Sequence, residues 1–156
     1  TPLYDALGFS FTKLKKEIQS QINYNVLVTI LTDGEENCSM EYSGAVIKNM
    51  IEELSKENWT FTYIGTDHDV EKMATNLSIK NSMVFKKNSE GIKTMFEEEY
   101  DSRKRYFTNI REKKDFKENY YKRAELDFKK EENDEPFTKP NKPSFWDKLT
   151  GKNNKK

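Results

Sequence analysis

The chain has 156 residues, room for one domain and an appendage but not for two ordinary domains. Charged residues make up 35% and hydrophobic ones 34%, so a normal core has to be concentrated in part of the chain. Lys+Arg and Asp+Glu both number 27, which argues against a dedicated nucleic-acid binder, and a single cysteine, Cys38, excludes an internal disulfide or a multi-cysteine zinc site.

In chain order, Leu3, Leu7, Phe11, Leu14 and Ile18 recur at spacings of four, four, three and four, one face of an amphipathic helix. Thr1-Pro2 suits its start, with Thr at the cap and Pro at the first helical position. Asn23-Tyr24-Asn25 breaks the pattern, and Val26-Leu27-Val28-Thr29-Ile30-Leu31 follows as a strand buried on both faces. It stops at Thr32-Asp33-Gly34, a carboxylate and a flexible Gly at the carboxyl end of a strand, where open α/β sheets place their ligand crevices. A helical pattern begins near Met40 and carries Val46, Ile47, Met50, Ile51 and Leu54. Trp59 to Ile64 is the next strand, closing at Gly65-Thr66-Asp67. A third helix carries Val70, Met73, Ala74 and Leu77, Ser82 to Phe85 is a short strand, and Asn88-Ser89-Glu90 opens a fourth helix with Ile92, Met95, Phe96 and Tyr100 on its face. This alternation predicts an α/β fold, Rossmann-like and doubly wound, with a mainly parallel sheet and helices on both sides.

Thr1-Pro2-Leu3-Tyr4-Asp5-Ala6-Leu7 before a helix, Ile30-Leu31-Thr32-Asp33-Gly34-Glu35-Glu36-Asn37 after a strand, and Trp59-Thr60-Phe61-Thr62-Tyr63-Ile64-Gly65 as the next strand resemble the second half of a bacterial von Willebrand factor A (VWA) domain. The likeness runs from Thr1 to about Phe107 and keeps the order of the elements. It implies a VWA-like domain over 1–107, truncated at its N-terminus, and a charged helical or disordered tail over 108–156. It also implies a protein-recognition module of the metal-ion-dependent adhesion type rather than an enzyme. By resemblance, Thr1 and Asp33 are metal ligands for Mg²⁺, and a partner protein's carboxylate fills an open position on the ion. The surrounding rim, Gly34, Glu35, Glu36, Asn37, Thr66 and Asp67, chooses the partner. The family's metal site opens with an Asp-x-Ser-x-Ser loop that occurs nowhere in this chain. Two protein ligands cannot hold Mg²⁺, which wants about six oxygens, against its hydration shell, so weak or absent binding by residues 1–156 alone is expected. The edge left beside Val26–Leu31 without the family's first strand is a pairing hazard.

Other readings stand beside this one. Asp33 suits a turn ahead of a helix, and Glu35 and Glu36 suit the positive end of the helix that follows. Asp5 reads as a first-turn helix charge, Asp67 or Asp69 as a cap, His68 as an exposed loop histidine and Cys38 as a small loop residue. A metal-free interaction or scaffold module is the main alternative function. An Mg²⁺-dependent phosphotransferase using Asp33 is a further one, but it needs a second carboxylate and a nearby Lys that the loop does not supply, and no phosphate-binding loop or nucleophile elbow is present.

Beyond about Phe107 the signs mix without a broad apolar face. Tyr106, Ile110, Phe116, Tyr120 and Tyr121 are able to extend the fourth helix before Pro136, Pro140 and Pro143 end any helical pattern. Phe145, Trp146 and Leu149 form a small apolar cluster, read as a short helix or disordered stretch, or alternatively as a peptide docking in a partner's groove. No apolar run approaches a membrane span and no leader is visible, so a cytoplasmic location is expected, although the chain begins at Thr1 rather than Met.

Overall fold

The computed structural model describes residues 1–34, 36, 38–66, 69–115, 117 and 119–121. Expectations for Glu35, Asn37, Asp67, His68, Phe116 and the Phe145, Trp146 and Leu149 cluster lie outside the described residues.

The elements are α1 (Leu3–Ile18), β1 (Val26–Leu31), α2 (Gly44–Lys56), β2 (Trp59–Gly65), α3 (Val70–Asn76), β3 (Asn81–Val84) and α4 (Ser89–Arg111). Among the described residues the three strands form one parallel sheet in the order β1-β2-β3, with Val26 opposite Trp59 and Thr62 opposite Asn81. Among the described residues the architecture is therefore α/β, with a small three-stranded parallel sheet and four helices, consistent with a Rossmann-like pattern. β2 is central and buried along its whole length, which explains why it is apolar, aromatic or β-branched almost throughout.

The two sheet faces differ in chemistry. On one, Val26, Ile30, Trp59, Phe61 and Tyr63 meet Leu3, Leu7 and Phe11 of α1, Ile47, Ile51 and Leu54 of α2, and Val70, Ala74 and Leu77 around α3. Phe11 packs edge-on to both Trp59 and Phe61, with ring centroids 6.2 and 5.4 Å away. Each large side chain buried here contributes about 1.5–3 kcal/mol relative to exposure. α1 also approaches the following loop closely at Gly8, where a Cβ would stand 2.4 Å from the Tyr42 ring.

The other face mixes hydroxyls with a smaller apolar cluster: Thr29, Thr60 and Thr62 lie under α4, beside Ile64, Met83 and Met95 with Phe85 and Tyr121 packed against them. Thr62 Oγ1 donates to Thr29 Oγ1 at 3.2 Å, and Tyr106 OH donates to Thr60 Oγ1 at 3.4 Å. The buried side of α4 is Met95, Glu99, Ser102 and Tyr106. Ile92, Phe96 and Tyr100, expected on that side, are instead exposed. The helix is rotated from its apolar pattern because Glu99 satisfies the threonines and tyrosines beneath it. The Glu99 side chain, only 7% exposed, accepts from Thr29, Arg103, Tyr120 and Tyr121 at 3.3, 2.8, 3.0 and 3.0 Å.

Two boundaries differ from expectation. α1 begins at Leu3 with Pro2, not Thr1, at the cap position. α2 begins at Gly44 rather than near Met40, with the Ser43 hydroxyl accepting from Val46 N–H. Past 107, α4 runs on to Arg111, and among the described residues that follow, Asn81 Nδ2 donates to Lys117 O at 2.8 Å while its Oδ1 accepts from Tyr120 N at 3.1 Å. The elements described here belong to one compact unit, Thr1–Lys122. None of the helices among the described residues is long and apolar enough to cross a membrane.

Candidate functional site

The carboxyl ends of β1 and β2 open on a cleft of about 290 Å³ lined by Tyr4, Thr32, Asp33, Gly34, Tyr63, Thr66, Lys72 and Met73, among others. Parallel strands end together, so the loops after them converge, and this is where the sheet architecture places a crevice. Thr32 N–H still donates to Ile64 O at 3.1 Å, which holds the start of the loop against β2. The Thr32 hydroxyl then donates to Gly34 O at 2.9 Å and accepts from Gly34 N–H at 3.2 Å. This small closed turn leaves Asp33 at its tip, with the carboxylate projecting into solvent.

Thr1 arrives at the same corner. A Cβ on Gly34 would stand 3.1 Å from Thr1 Oγ1, so the hydroxyl lies against the backbone of the residue after Asp33. The two ligands implied by the VWA resemblance thus share one end of the cleft. A third group was not foreseen: Lys87 Nζ lies 2.8 Å from Asp33 Oδ2. Its hydrogen bond and charge hold the Asp33 carboxyl below the ordinary carboxylate range. Lys87 comes from the loop after β3, whose carboxyl end opens on the same side of the sheet; the parallel topology was the one signal that would have brought it here.

Glu36 also lines the cleft, with both carboxylate oxygens engaged within the chain. Its Oε2 accepts from Tyr4 N–H at 2.8 Å and the Ser39 hydroxyl at 2.7 Å, and its Oε1 accepts from Cys38 N–H and Ser39 N–H at 3.1 and 2.8 Å. Burial alone would raise its pKa, but these donors outweigh burial and hold the carboxyl at about 2. Asp5, read from the sequence as a helix charge, does matching work from the opposite side. It accepts from the N–H groups of Met40, Glu41 and Tyr42 at 2.8, 2.9 and 2.8 Å. The Met40 bond is the largest influence lowering its pKa, opposed by burial. A polar stretch with no helix to use its N–H groups has to find acceptors elsewhere, and that accounting was the available clue to both residues.

Gly34 sits in the turn and Thr66 lines the cleft half-buried. Asp69 also lines it, without a side-chain cap bond to α3. Cys38 is exposed. Thr1 and Asp33 supply one hydroxyl and one carboxylate, and the carboxylate is already paired with an ammonium. Among the described residues no group of three or more His, Cys, Asp or Glu is placed to hold a metal. These residues alone do not fit a resident Mg²⁺, which wants about six oxygens.

Compared with known proteins, the chain matches no family model, no curated protein and no solved structure.

Proposed function

We propose that the chain is a VWA-like protein-recognition module whose partner docks on the rim around Asp33. The observation that carries this reading is the meeting of Thr1, Gly34 and Asp33 at the mouth of the cleft, with the Asp33 carboxylate 66% exposed. Thr1 and Asp33 are the residues that would bind Mg²⁺ in such a contact, with the remaining oxygens coming from water, the partner or elements other than those described. A bound ion would supply positive charge for a partner's carboxylate. A metal-free contact is the second reading, favoured by the Lys87–Asp33 pair: a tethered ammonium already provides positive charge at that point. Catalysis at Asp33 is not proposed, because the oxygens of Glu36, the nearest described carboxylate in sequence, are taken up by backbone and hydroxyl donors.

The test uses the isotope-labelled chain. It is titrated with Mn²⁺ up to about 10 mM, a range that captures weak oxygen-ligand sites, and separately with a glutamate-rich peptide in chelator. Paramagnetic broadening confined to Thr32–Gly34 and Thr66, and lost in Asp33→Asn, supports the metal-bridged contact. Peptide-induced shifts of the same amides in chelator, lost in Lys87→Met, support the metal-free one. A rim that answers neither probe overturns the proposal.

A further inference from the structure

The floor of the cleft carries an inference that does not depend on the rim. It is walled by α1, α3, the end of β2 and the loops after β1 and β2, and it uses neither the outer edge of β1 nor Thr1. Buried phenols elsewhere in the chain have partners: Tyr106 OH donates to Thr60, and Tyr120 OH and Tyr121 OH donate to Glu99. Tyr63, 3% exposed and as buried as Tyr120, is the exception, because its hydroxyl has no hydrogen-bond partner among the described residues. Nor is that hydroxyl sealed in. The one described side-chain polar atom that is both enclosed and unpartnered is Trp59 Nε1, so the Tyr63 hydroxyl opens on the cleft that the residue lines. A largely buried hydroxyl without a partner costs the fold free energy, and a group kept at such a cost calls for a use.

Other uncommitted groups surround it. Tyr4 of α1 lines the same cleft with its hydroxyl likewise unpartnered, and that hydroxyl lies 3.1 Å from where a Cβ on Gly44 would stand. Burial raises the Tyr63 pKa and the Tyr4 phenol raises it further, as befits two hydroxyls within reach of each other. From α3, Lys72 lines the cleft without an ion-pair partner, and Asp69 stands beside it, exposed and equally unpaired. Val70 and Met73 supply an apolar wall. Gly65 keeps the floor clear, since a Cβ there would stand 2.6 Å from Val70 Cγ2 and 3.7 Å from Tyr63 Cε1.

We infer that the cleft takes a monocarboxylate with an apolar body, its oxygens accepting from the Tyr4 and Tyr63 hydroxyls and its charge met by Lys72. Two phenolic donors and one ammonium suit a planar oxyanion of single charge. The unpaired Asp69 carboxylate repels a second negative charge, which selects against phosphate and dicarboxylates. The body of the ligand lies along Val70, Met73 and the two phenol rings, and the volume of about 290 Å³ is at the lower end of what small-molecule sites offer. Binding gives the Tyr63 hydroxyl the partner that the fold withholds. The carboxylate belongs either to a free acid or to a Glu side chain presented by a partner protein, two sources of one chemistry. For a free acid of roughly a dozen non-hydrogen atoms, Kd on the order of 1 mM is expected.

Chemical-shift titration of the isotope-labelled full chain, in chelator, tests the inference with 4-phenylbutyrate as the probe. The amides of Tyr63, Gly65, Thr66 and Met73 are expected to shift and saturate with Kd on the order of 1 mM. The neutral analogue 4-phenylbutanol is expected to bind about tenfold more weakly, and inorganic phosphate to leave those amides unmoved. Tyr63→Phe and Lys72→Met are each expected to weaken phenylbutyrate about fivefold. Urea denaturation is expected to show Tyr63→Phe at least as stable as the parent chain, because the change removes an unpartnered hydroxyl. A capped Ala-Glu-Ala peptide that moves the same amides, and loses its effect in Tyr63→Phe, assigns the carboxylate to a protein partner; a response to the free acid alone assigns it to a small molecule. An unshifted cleft at about 20 mM probe, equal binding of the alcohol, binding indifferent to Tyr63→Phe, or a Tyr63→Phe chain less stable than the parent overturns the inference. Binding lost in Lys87→Met but kept in Tyr63→Phe also overturns it, by placing the acid on the rim.

Discussion

Replacing Glu36 by Gln isolates the carboxylate that ties the loop after Asp33 to the start of α1. Each of its oxygens accepts from two donors, and Gln keeps one acceptor while turning an NH₂ toward groups that can only donate or must reorient. A carboxyl at about 2 in the folded chain, against an ordinary 4.5, is linked to about 3.4 kcal/mol of stability at neutral pH. The loop is partly in contact with water, and screening reduces this to roughly 1.5–2 kcal/mol. The sign follows from a depressed pKa: the contribution is complete above 4.5 and is lost as pH falls from 4.5 toward about 2. Glu36 also raises the Asp5 pKa through its charge, so the variant recovers a small part of the loss by favouring ionised Asp5. Urea denaturation of both proteins at neutral pH and at about pH 3 measures the effect, with the slope unchanged if only stability moves. Glu36→Gln is expected to cost about 1.5–2 kcal/mol at neutral pH and less than half of that at about pH 3, because the other carboxylates titrate in both proteins and cancel. A difference that does not change with pH, or one below about 0.3 kcal/mol at neutral pH, refutes the reasoning.

Other consequences are as direct. Glu99→Leu strands the hydroxyls of Thr29, Tyr120 and Tyr121 and is expected to cost about 3 kcal/mol in urea denaturation, with Glu99→Gln losing roughly half as much because it keeps an acceptor. Gly8→Ala drives a methyl into the Tyr42 ring and is expected to lower stability by about 1–3 kcal/mol, with Tyr42→Leu relieving part of the loss in the double variant. Burial, and then the Glu99 charge, push the phenols of Tyr120 and Tyr121 well above their ordinary range. Groups raised in this way stabilise the fold below their ordinary pKa and lose that contribution only as pH climbs through the folded value. An ultraviolet titration should therefore show exposed tyrosines ionising first, and these two only together with loss of the circular dichroism signal.

How far the sequence could be read depended on which force set each element. β2 was legible because a doubly buried parallel strand has to be a short apolar run, and the inner face of α1 because Leu3, Leu7 and Phe11 repeat at helical spacing. β1 was legible as a strand, but it is only partly buried and Leu31 is half exposed, not buried on both faces as its run of apolar residues suggested. The face of α4 was not legible. Its partner surface is Thr29, Thr60 and Thr62, so the buried side carries Glu99 and Ser102, and hydrophobic periodicity cannot see a stripe selected for acceptors. The start of α2 was misplaced for a related reason: Asp5 takes the N–H groups of Met40, Glu41 and Tyr42, which a helix there would have left to water. At the site, Asp33 was visible as the residue ending a strand. Lys87, 54 positions away in the chain, was brought there by strand order alone.

The hydroxyl-lined underside of α4 bears on how the molecule comes apart. Beside the apolar contacts of Ile64, Met83 and Met95, directional bonds hold this layer, and they converge on one carboxylate that also anchors the returning segment at Tyr120 and Tyr121. Greasy contacts can be shed one at a time, whereas a hub with four donors gives way as a whole. The expected consequence is that α4 and the residues Tyr120 and Tyr121 tied to it through Glu99 open together, so that their amides exchange at one common rate, slower openings being left to the aromatic layer on the far side of the sheet.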